Sequence, residues 1–431
     1  MEIIKYLSEV WRGKDYPFLI GESGQLHFNE LTIVPVDFVS EIRTGDVVAI
    51  IGDFESNSIT ALLHLIEIKA ILVPLTNETR AQHNYFFEAA CVDWVIENKK
   101  IRKLKRKNRH PLLDRLTLSQ KPGLILFSTG TTGEPKAILH DLDKFLLRFK
   151  TPRPALRTLN FLLFDHIGGI NTLLHTLFNA GCAISIKSRN IDEVFSVCRK
   201  FDVEVLPTTP TFLRLLLVNG SLGPEFPNSI RIVTYGTERM DQSVLNALCK
   251  NLPDVDFRQT YGMSELGIMR VKSKSKESLY MKIGGEGIET KVIDNTLFIR
   301  SQNRMLGYLN AESPFDENGW YDTKDKVDVD GDFIKIIGRN SEVVNVAGLK
   351  FMLSEVENIA VDYPNVELVK AVSKFNPITG SHVELVVQTM PQKVFDLKTY
   401  KIFLRSKLPN HMVPRKVSLQ NVKVGHRFKR L

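Results

Sequence analysis

The stretch "FSTGTTGEPKAILHD" (Phe127 to Asp141) combines glycines, hydroxyl side chains and a lysine directly after an apolar run. That run, "GLILF" (Gly123 to Phe127), is typical of a buried strand. Seven of the first ten residues of the stretch are Ser, Thr, Gly or Pro, so backbone N–H groups and hydroxyls can surround an anion there. Two residues separate the last glycine from Lys136, which excludes a Walker A loop. The stretch predicts a phosphate-binding loop of another kind, with an ordinary glycine-rich turn as the alternative.

Strand and helix patterns alternate on both sides of this loop. "DVVAIIG" (Asp46 to Gly52) is typical of a buried strand, and "SITALLHLIEIKA" (Ser58 to Ala70) of an amphipathic helix. Further strand patterns lie at 71–75, 91–97, 182–187, 203–210 and 229–236, and a helix pattern lies at 191–201. This repeated alternation predicts an α/β fold with parallel sheets that are covered by helices on both faces.

The pattern changes after about Tyr280. "KVIDNTLFIRS" and "DGDFIKIIGR" are typical of short antiparallel strands joined by polar turns, and mixed α/β patterns return from about Glu342. We therefore expect a large N-terminal domain of residues 1–338 that includes a small β-subdomain. A hinge at 339–341 would connect it to a small, mobile α+β C-terminal domain of residues 342–431.

The composition favours a cytoplasmic protein that handles anionic small molecules. The chain has 431 residues, 43% of them hydrophobic, and a net charge of +8; this allows more than one core and suits anionic ligands. The basic run at 99–110 lacks interleaved aromatics, so we interpret it as a solvated connector and expect no nucleic acid partner. The four cysteines form no CxxC pair, which argues against a zinc site or disulfide framework and for a reducing cytoplasm. We expect neither a signal peptide nor a membrane span.

The loop segment "STGTTGEPKA" closely resembles the signature loop of the adenylate-forming superfamily, which includes acyl-CoA synthetases, aryl-CoA ligases, luciferases and the adenylation domains of peptide synthetases. It departs from the family's pattern at Ala137, where glycine is usual. The resemblance implies that the loop grips the phosphates of ATP, and that the residues responsible are Ser128, Thr129, Gly130, Thr131, Thr132, Gly133 and Lys136. Three further motifs follow in the family's order, so the resemblance covers nearly the whole chain.

"TYGMSELG" (Thr260 to Gly267) resembles the second family motif, and its adenine-side partner is the upstream segment "YGTE". By resemblance, Tyr261 stacks on adenine, Ser264 contacts the α-phosphate and Glu265 holds Mg²⁺. A flat aromatic ring suits a purine, and a carboxylate is a hard oxygen ligand for magnesium beside phosphates. The same resemblance implies further nucleotide contacts from Gly236, Thr237, Glu238 and Gly262.

"GWYDTKDKVDVDGDFIKIIGR" (Gly319 to Arg339) resembles the third motif. It implies that Asp325 binds the two ribose hydroxyls and that Arg339 lies near the ribose and phosphate. A carboxylate can accept hydrogen bonds from two adjacent hydroxyls, which explains the residue type. Lys324 replaces a usual glycine, and an acidic hairpin loop without function is the alternative.

The segments after Arg339 resemble the family's hinge and transfer loop. Ser341 stands where the family has Asp or Lys, and a hinge needs only to tolerate a change of backbone angles. "NVAGLKF" (Asn345 to Phe351) resembles the loop that packs beside the pantetheine arm of CoA, with Gly348 giving the arm room. A common glycine turn is the alternative.

The C-terminal end "VPRKVSLQNVKVGHRFKRL" departs from the family's pattern, in which a glycine–lysine pair supplies a catalytic lysine. One alignment puts Lys429 in that place and another puts His426 there. We favour Lys429 because a permanently charged amine suits developing negative charge.

"LLFDHIGG" (Leu162 to Gly169) resembles the segment that borders the carboxylate pocket. His166 matches the family's histidine and would gate or orient the acid, with a structural histidine at a helix start as the alternative. Asp165 could hold an α-amino group, but the "HIGG" alignment favours an aliphatic or aryl acid without a required α-amine.

Taken together, the resemblance implies a ligase that uses ATP and Mg²⁺ to convert a carboxylic acid into an acyl-adenylate, releasing pyrophosphate. The acyl group would then pass to a thiol, with CoA as the expected co-substrate. Two alternatives stay open at this point: transfer to a carrier protein or an amine, and a nucleotide-binding homologue that has lost turnover and regulates another process.

Overall fold

The computed structural model describes residues 2–22, 24–33, 40–105, 109–128, 134–377 and 379–422. Within these ranges, none of the helices combines the length and the apolar character that crossing a membrane requires.

The described residues form twelve α-helices. They are α1 (Ile3–Val10), α2 (Phe28–Ile33), α3 (Ser56–Glu67), α4 (His83–Ala89), α5 (Pro111–Leu118), α6 (Leu142–Leu147), α7 (Ile167–Phe178), α8 (Ile191–Lys200), α9 (Pro210–Val218), α10 (Gln242–Asn251), α11 (Leu353–Val361) and α12 (Leu397–Lys407). Short 3-10 helices cover Asn77–Gln82 and Asn340–Glu342.

The strands of the first half are β1 (Leu19–Gly21), β2 (Gly24–Leu26), β3 (Val47–Ile51), β4 (Ile71–Leu75), β5 (Trp94–Glu97), β6 (Lys100–Lys103), β7 (Gly123–Phe127), β8 (Ala137–Asp141), β9 (Arg157–Leu159), β10 (Cys182–Ile184), β11 (Val205–Thr208), β12 (Ile232–Tyr235) and β13 (Asp256–Gln259). Those of the second half are β14 (Tyr261–Met263), β15 (Gly267–Ser273), β16 (Met281–Gly284), β17 (Ile288–Ile293), β18 (Thr296–Ser301), β19 (Gly307–Tyr308), β20 (Tyr321–Asp330), β21 (Phe333–Arg339), β22 (Val343–Val346), β23 (Leu349–Met352), β24 (Val366–Asn376), β25 (Gly380–Thr389) and β26 (Lys416–Leu419).

The first sheet carries the phosphate loop. Its strand order is β19-β8-β7-β4-β3-β5-β6, with parallel pairing among β3, β4, β5 and β7. Every residue of β3, β4 and β7 is buried, as expected for parallel strands covered on both faces. Strands β7 and β8 pair antiparallel and form a buried hairpin, and residues 129–133 of the connection between them lie outside the described residues.

The second sheet has the order β13-β12-β11-β9-β10-β1-β2, and its strands from β13 to β1 pair in parallel. A continuous core of buried residues joins it to the first sheet through α3 and α7. Both helices are apolar around most of their circumference, which is typical of helices packed between layers. The predicted α/β fold class is confirmed.

A third, antiparallel sheet forms the β-subdomain. Its order is β14-β15-β16-β21-β20-β18-β17, and it encloses a small core of its own. The sequence pattern placed its start near Tyr280, whereas the sheet begins with β14 at Tyr261. The hairpin of β20 and β21 pairs Asp325 with Arg339, which brings two distant motif residues side by side.

The C-terminal part has a separate core that runs from Val344 to Val417. Strands β24, β25 and β26 form a sheet on which α11 and α12 pack, and β22 and β23 form a hairpin beside it. The boundaries 1–338, 339–341 and 342–431 stay predictions.

One arginine of the large domain carries much of the contact between the two parts. Arg214 on α9 donates to the backbone oxygens of Glu367 at 2.8 Å, Val361 at 2.9 Å and Val366 at 3.3 Å. Two further bonds join α10 and its preceding loop to α11, from Arg239 to Asn358 at 2.7 Å and from Ser243 to Asp362 at 3.0 Å.

Candidate active site

A cavity of about 530 Å³ opens where the three large sheets meet. Its walls come from the ends of β7, β11 and β12, from the start of α7, and from the segment around β14. The ends of β20 and β21 and the hinge residues close the remaining side. Ligands of α/β proteins bind at the carboxyl ends of parallel strands, and this cavity lies at those ends of β11 and β12.

Asp325 is the centre of a hydrogen-bonded group at one side of the cavity. Its two carboxylate oxygens accept separate bonds, one from the Tyr261 hydroxyl at 2.6 Å and one from the Arg339 Nε at 3.0 Å. Burial raises the pKa of Asp325, and the charge of Arg339 opposes that shift. The carboxylate is therefore fixed in position by a neutral donor and a cation, with Arg339 itself lining the cavity.

Tyr261 packs toward the β-subdomain. Its ring packs against the core of the β-subdomain, and burial together with the Asp325 charge raises the pKa of its hydroxyl. Among the described residues, those that line the cavity include the flanking Thr260 and Gly262 but not Tyr261. Stacking of Tyr261 on adenine stays a prediction, whereas its bond to Asp325 is a structural observation.

The segment at the end of β12 forms a tight wall of the cavity. A Cβ added at Gly236 would lie 2.1 Å from the Thr260 Oγ1, so only glycine fits there. Thr237 follows with a positive φ of 74°. Its hydroxyl is buried in the cavity wall without a hydrogen-bond partner among the described residues. An orphaned hydroxyl at a cavity surface is a ready donor or acceptor for a bound ligand.

Glu238 has a structural contact instead. Its carboxylate accepts from the backbone N–H of Thr211 at 2.8 Å, in the first turn of α9. Glu238 is not among the described residues that line the cavity.

Glu265, the proposed magnesium ligand, is buried against the cavity. The Tyr308 hydroxyl donates to its Oε1 at 2.8 Å, and the Lys136 Nζ lies 4.9 Å from the centre of the Tyr308 ring. Burial raises the pKa of Tyr308, and the Glu265 charge adds to that effect, so the hydroxyl keeps its proton and donates. All three residues line the cavity, and Tyr308 joins two motifs that are far apart in the sequence.

Ser264 is held by a histidine of the opening stretch. The His140 Nε2 lies 2.6 Å from the Ser264 backbone oxygen. Burial lowers the pKa of His140 to about 4, so the ring is neutral at pH 7, and Nε2 must carry the proton because a carbonyl only accepts. Sequence reasoning missed both His140 and Tyr308, and no motif or spacing in the sequence singles them out.

His166 caps helix α7. Its Nδ1 accepts from the Gly168 N–H at 3.0 Å, which agrees with the structural alternative, yet the residue also lines the cavity. A Cβ at Gly169 would lie 1.9 Å from the Leu163 oxygen, so the "HIGG" glycine is required by close backbone approach. The neighbouring Asp165 accepts from the Thr76 hydroxyl at 3.4 Å and is not among the described lining residues.

The departures from the family's pattern are accommodated locally. Lys324 lies within β20 and has a φ of 60°, a backbone conformation that glycine adopts readily, and its N–H donates to Asp322 at 2.9 Å. Ala137 is buried, and its N–H donates to Asn310 at 2.8 Å. Ser341 lines the cavity, as does Ser128 at the start of the phosphate loop.

Several predicted site residues lie outside the described residues. They are Thr129, Gly130, Thr131, Thr132 and Gly133 of the loop, and both alternatives at the C-terminal end, His426 and Lys429.

The "NVAGLKF" segment, expected as a loop, is the hairpin of β22 and β23. Its two turn residues, Ala347 and Gly348, both have positive φ, 51° and 88°, which is the requirement of a type I′ turn. Of the described residues, none beyond Ser341 lines the cavity. The hairpin therefore stands outside it in this arrangement.

The donor set suits a magnesium ion only together with phosphate oxygens. No cluster of three or more Asp, Glu, His or Cys side chains that could hold a metal occurs in the described part of the chain. A single buried carboxylate, Glu265, lies across the cavity wall from the phosphate loop lysine. Mg²⁺ in phosphate-transfer sites is commonly held by one or two carboxylates plus substrate phosphates, so Glu265 fits that role.

Comparison with known proteins matches residues 47–309, more than half of the chain, to the family model "AMP-binding enzyme". Among relatives, 4-coumarate-CoA ligase 1 of Narcissus pseudonarcissus is 28% identical over 274 residues, which are 56% of this chain and 50% of that protein. The 4-coumarate–CoA ligase CCL1 of Humulus lupulus is 27% identical over 315 residues, 64% of this chain and 57% of that protein. The chain thus matches about half the length of these relatives.

Solved structures resemble the chain over nearly its whole length. The anthranilate CoA ligase AuaEII in complex with anthranoyl-AMP has a TM-score of 0.81 at 14% identity, covering 100% of this chain and 95% of that chain. The o-succinylbenzoate CoA synthetase MenE from Bacillus subtilis, in complex with its acyl-adenylate intermediate, has a TM-score of 0.78 at 16% identity. The match covers 99% of this chain and 96% of that chain. The amide bond synthetase McbA from Marinactinospora thermotolerans has a TM-score of 0.76 at 17% identity, and the match covers 98% of this chain and 96% of that chain.

At these identities the structural likeness establishes the fold, whereas the family model also matches the motif-bearing part of the sequence. With the cavity and its motif residues in view, the chain belongs to the AMP-binding enzymes of the adenylate-forming superfamily.

Proposed function

We propose that the protein is an ATP-dependent acid ligase that forms an acyl-adenylate and then transfers the acyl group to a thiol. The observation that carries this proposal is the Asp325 group. Its carboxylate is buried and oriented by Tyr261 and Arg339. Asp325 itself is not among the described lining residues of the cavity, but Thr323, Lys324 and Arg339 beside it are. A fixed carboxylate that can exchange these partners for two vicinal hydroxyls is what recognition of a ribose requires.

The charges around the cavity support an ATP ligand. Lys136 and Arg339 both line it, and preorganised cations stabilise the charge that develops when a carboxylate attacks the α-phosphorus. The tight wall at Gly236 and the orphaned Thr237 hydroxyl supply a flat surface and a polar contact for a base. When bound beside Glu265, Mg²⁺ would supply Lewis-acid stabilisation of the phosphates.

The acid would enter between the start of α7 and the β14–β15 segment. Leu162, Ile167 and Ile268 give this end of the cavity an apolar surface, which favours an aliphatic or aryl acid. Asp165 bonds to Thr76 and lies away from the lining, so a substrate α-amine has no designated partner there. We therefore keep the proposal of an acid without a required α-amine.

For the acceptor we propose a thiol, with CoA as the first candidate. The relatives named above are CoA ligases by their names, which supports CoA over a carrier-protein thiol. A structural neighbour named as an amide bond synthetase has the same fold, so an amine acceptor is the second candidate.

Acid-dependent exchange of radiolabelled pyrophosphate into ATP tests adenylation directly. A panel of aliphatic and aryl acids would be assayed, and the intact acyl-adenylate would be identified by mass spectrometry. We expect exchange with at least one acid, followed by thioester formation on adding CoA. ATP binding without exchange for every acid would contradict the proposal and favour a regulatory nucleotide-binding protein.

A further inference from the structure

Tyr308 is brought into the cavity by strand pairing rather than by a motif. It belongs to the two-residue strand β19, which pairs antiparallel with β8, and Tyr308 lies opposite Ile138. Backbone bonds from Leu306 to Leu139 at 2.7 Å and from Leu309 to Ala137 at 2.9 Å extend this pairing on both sides. Because β8 starts directly after Lys136, the pairing fixes Tyr308 at the end of the phosphate loop.

The side chain of Tyr308 contacts two functional groups of opposite charge. Its hydroxyl donates to the Glu265 carboxylate at 2.8 Å, while the Lys136 ammonium lies 4.9 Å from its ring centre. Tyr308 is only 5% exposed, so its hydroxyl depends on protein partners, which are Glu265 and the side chain of Tyr321.

A carboxylate and an ammonium in the same partly buried cavity attract each other strongly, because the effective dielectric there is low. A direct ion pair between them would occupy the groups that ATP and its metal need. A tyrosine between them offers the carboxylate a neutral donor and the ammonium an aromatic face, which attracts cations.

We propose that Tyr308 is a positioning residue that holds Glu265 and Lys136 apart and in place for the metal and the phosphates. This inference rests on the proposed function. The Tyr308 hydroxyl acts on the metal through Glu265, and the Tyr308 ring acts on the phosphates through Lys136. The two effects can be separated, because one substitution removes the hydroxyl alone and another removes the ring.

The test is ATP binding to the full-length protein, measured by calorimetry in excess MgCl₂ and again in EDTA. Tyr308→Phe should lower the ATP affinity in MgCl₂ by roughly tenfold, the scale of one hydrogen bond to a charged group. Its affinity in EDTA should stay within about twofold of the unmodified protein, because the ring under Lys136 remains. Tyr308→Leu should also lower the affinity in EDTA, by about threefold.

Tyr280→Phe is the matched control. Its hydroxyl makes the same kind of bond, to Asp328 at 2.6 Å, on the exposed face of the β-subdomain and away from the cavity. This variant should bind ATP normally in both conditions. Adding Tyr308→Phe to Glu265→Gln should cause little further loss in MgCl₂, because the hydroxyl acts on the metal only through the Glu265 carboxylate, which Glu265→Gln has already removed.

Equal losses in MgCl₂ and EDTA for Tyr308→Phe would indicate a merely structural role and overturn the inference, as would no loss at all. If Tyr308→Phe unfolds below the assay temperature, Tyr308→Leu gives the comparison instead: its loss in MgCl₂ should exceed its loss in EDTA, and equal losses would overturn the inference. Absence of ATP binding by the unmodified protein would overturn the proposed function with it. If the unmodified protein catalyses pyrophosphate exchange and Tyr308→Phe binds ATP with unchanged affinity in MgCl₂, this inference alone is overturned.

Discussion

The nucleotide side of the cavity and the C-terminal domain are built on different principles. On the nucleotide side, functional side chains are held by other side chains, as Asp325 is by Tyr261 and Arg339 and as Glu265 is by Tyr308. The predicted C-terminal domain is joined to the rest of the described chain by a few hydrogen bonds, three of them from Arg214 to backbone oxygens, and none of its described residues lines the cavity. The side chains of the first region are thus already held by protein partners, whereas we expect the second region to exchange partners when it turns about the predicted hinge.

The comparison predicts that damage to the fixed region affects every activity, whereas damage to the C-terminal domain affects one half-reaction at a time. Five changes test this, taken in order of decreasing expected effect.

Glu265→Ala should lower pyrophosphate exchange by more than about 10³-fold, because it removes the proposed metal ligand and leaves the Tyr308 hydroxyl without its acceptor. Exchange assays at saturating ATP measure the effect. The matched control is Glu289→Ala, which removes an exposed carboxylate paired with Arg300 and should leave exchange unchanged. A folded, fully active Glu265→Ala variant would remove Glu265 from the site.

Lys429→Ala should lower adenylation by about 10²–10³-fold, the scale of one preorganised electrostatic group. Transfer from a chemically synthesised acyl-adenylate to the thiol should barely change, since that step makes no pentavalent phosphorus. His426→Ala is the control, and loss of adenylation in it but not in Lys429→Ala would show that the other alignment of the C-terminal end is right. Parallel loss of both half-reactions in Lys429→Ala would contradict domain alternation.

Gly348→Trp should lower transfer to the thiol and leave adenylation unchanged, the reverse of Lys429→Ala. A Cβ at Gly348 meets nothing within 4 Å, so a bulky side chain would project from the hairpin turn and obstruct the thiol's approach once the hairpin reaches the cavity. Transfer should fall by about 10²-fold, the cost of misplacing a reacting group, with adenylation unchanged. The positive φ of 88° strains any replacement, so Gly348→Ala, assayed alongside, shows what strain alone does.

Asp325→Ala should weaken ATP binding by at least about tenfold, because hydrogen bonds to a charged group contribute about 1.5–3 kcal/mol each. Calorimetry with ATP measures the loss. Unchanged affinity would remove Asp325 from the nucleotide site.

Asp325→Asn should change how the stability of the protein depends on pH. Burial raises the folded-state pKa of Asp325 above its ordinary value, so the folded protein binds the proton more tightly than the unfolded chain does. Stability therefore falls as pH rises through the ordinary carboxyl range toward the raised pKa. Asn mimics the protonated form, so the variant should be more stable than the unmodified protein at pH 7 and equally stable at low pH. Thermal melts across pH measure this, and equal melting temperatures at every pH would contradict it.

The α/β class follows from local signals in the sequence, above all apolar periodicity. Gly236, Glu265 and Arg339 are named through the resemblance of short motifs to the adenylate-forming superfamily, and the structure places all three on the cavity wall. Asp325 is named in the same way and lies beside Arg339. Lys324, which stands where the family has glycine, lies within β20 and keeps a positive φ of 60°.

Only the tertiary structure decided how those residues are supported. Tyr308 reaches Glu265 across 43 positions of sequence, His140 reaches Ser264 across 124, and Arg214 reaches Glu367 across 153. The same holds for Glu238, whose carboxylate accepts from the backbone N–H of Thr211 at the start of α9. Such contacts depend on which strands pair and how the sheets pack, because a single side chain has no local pattern that specifies its distant partner.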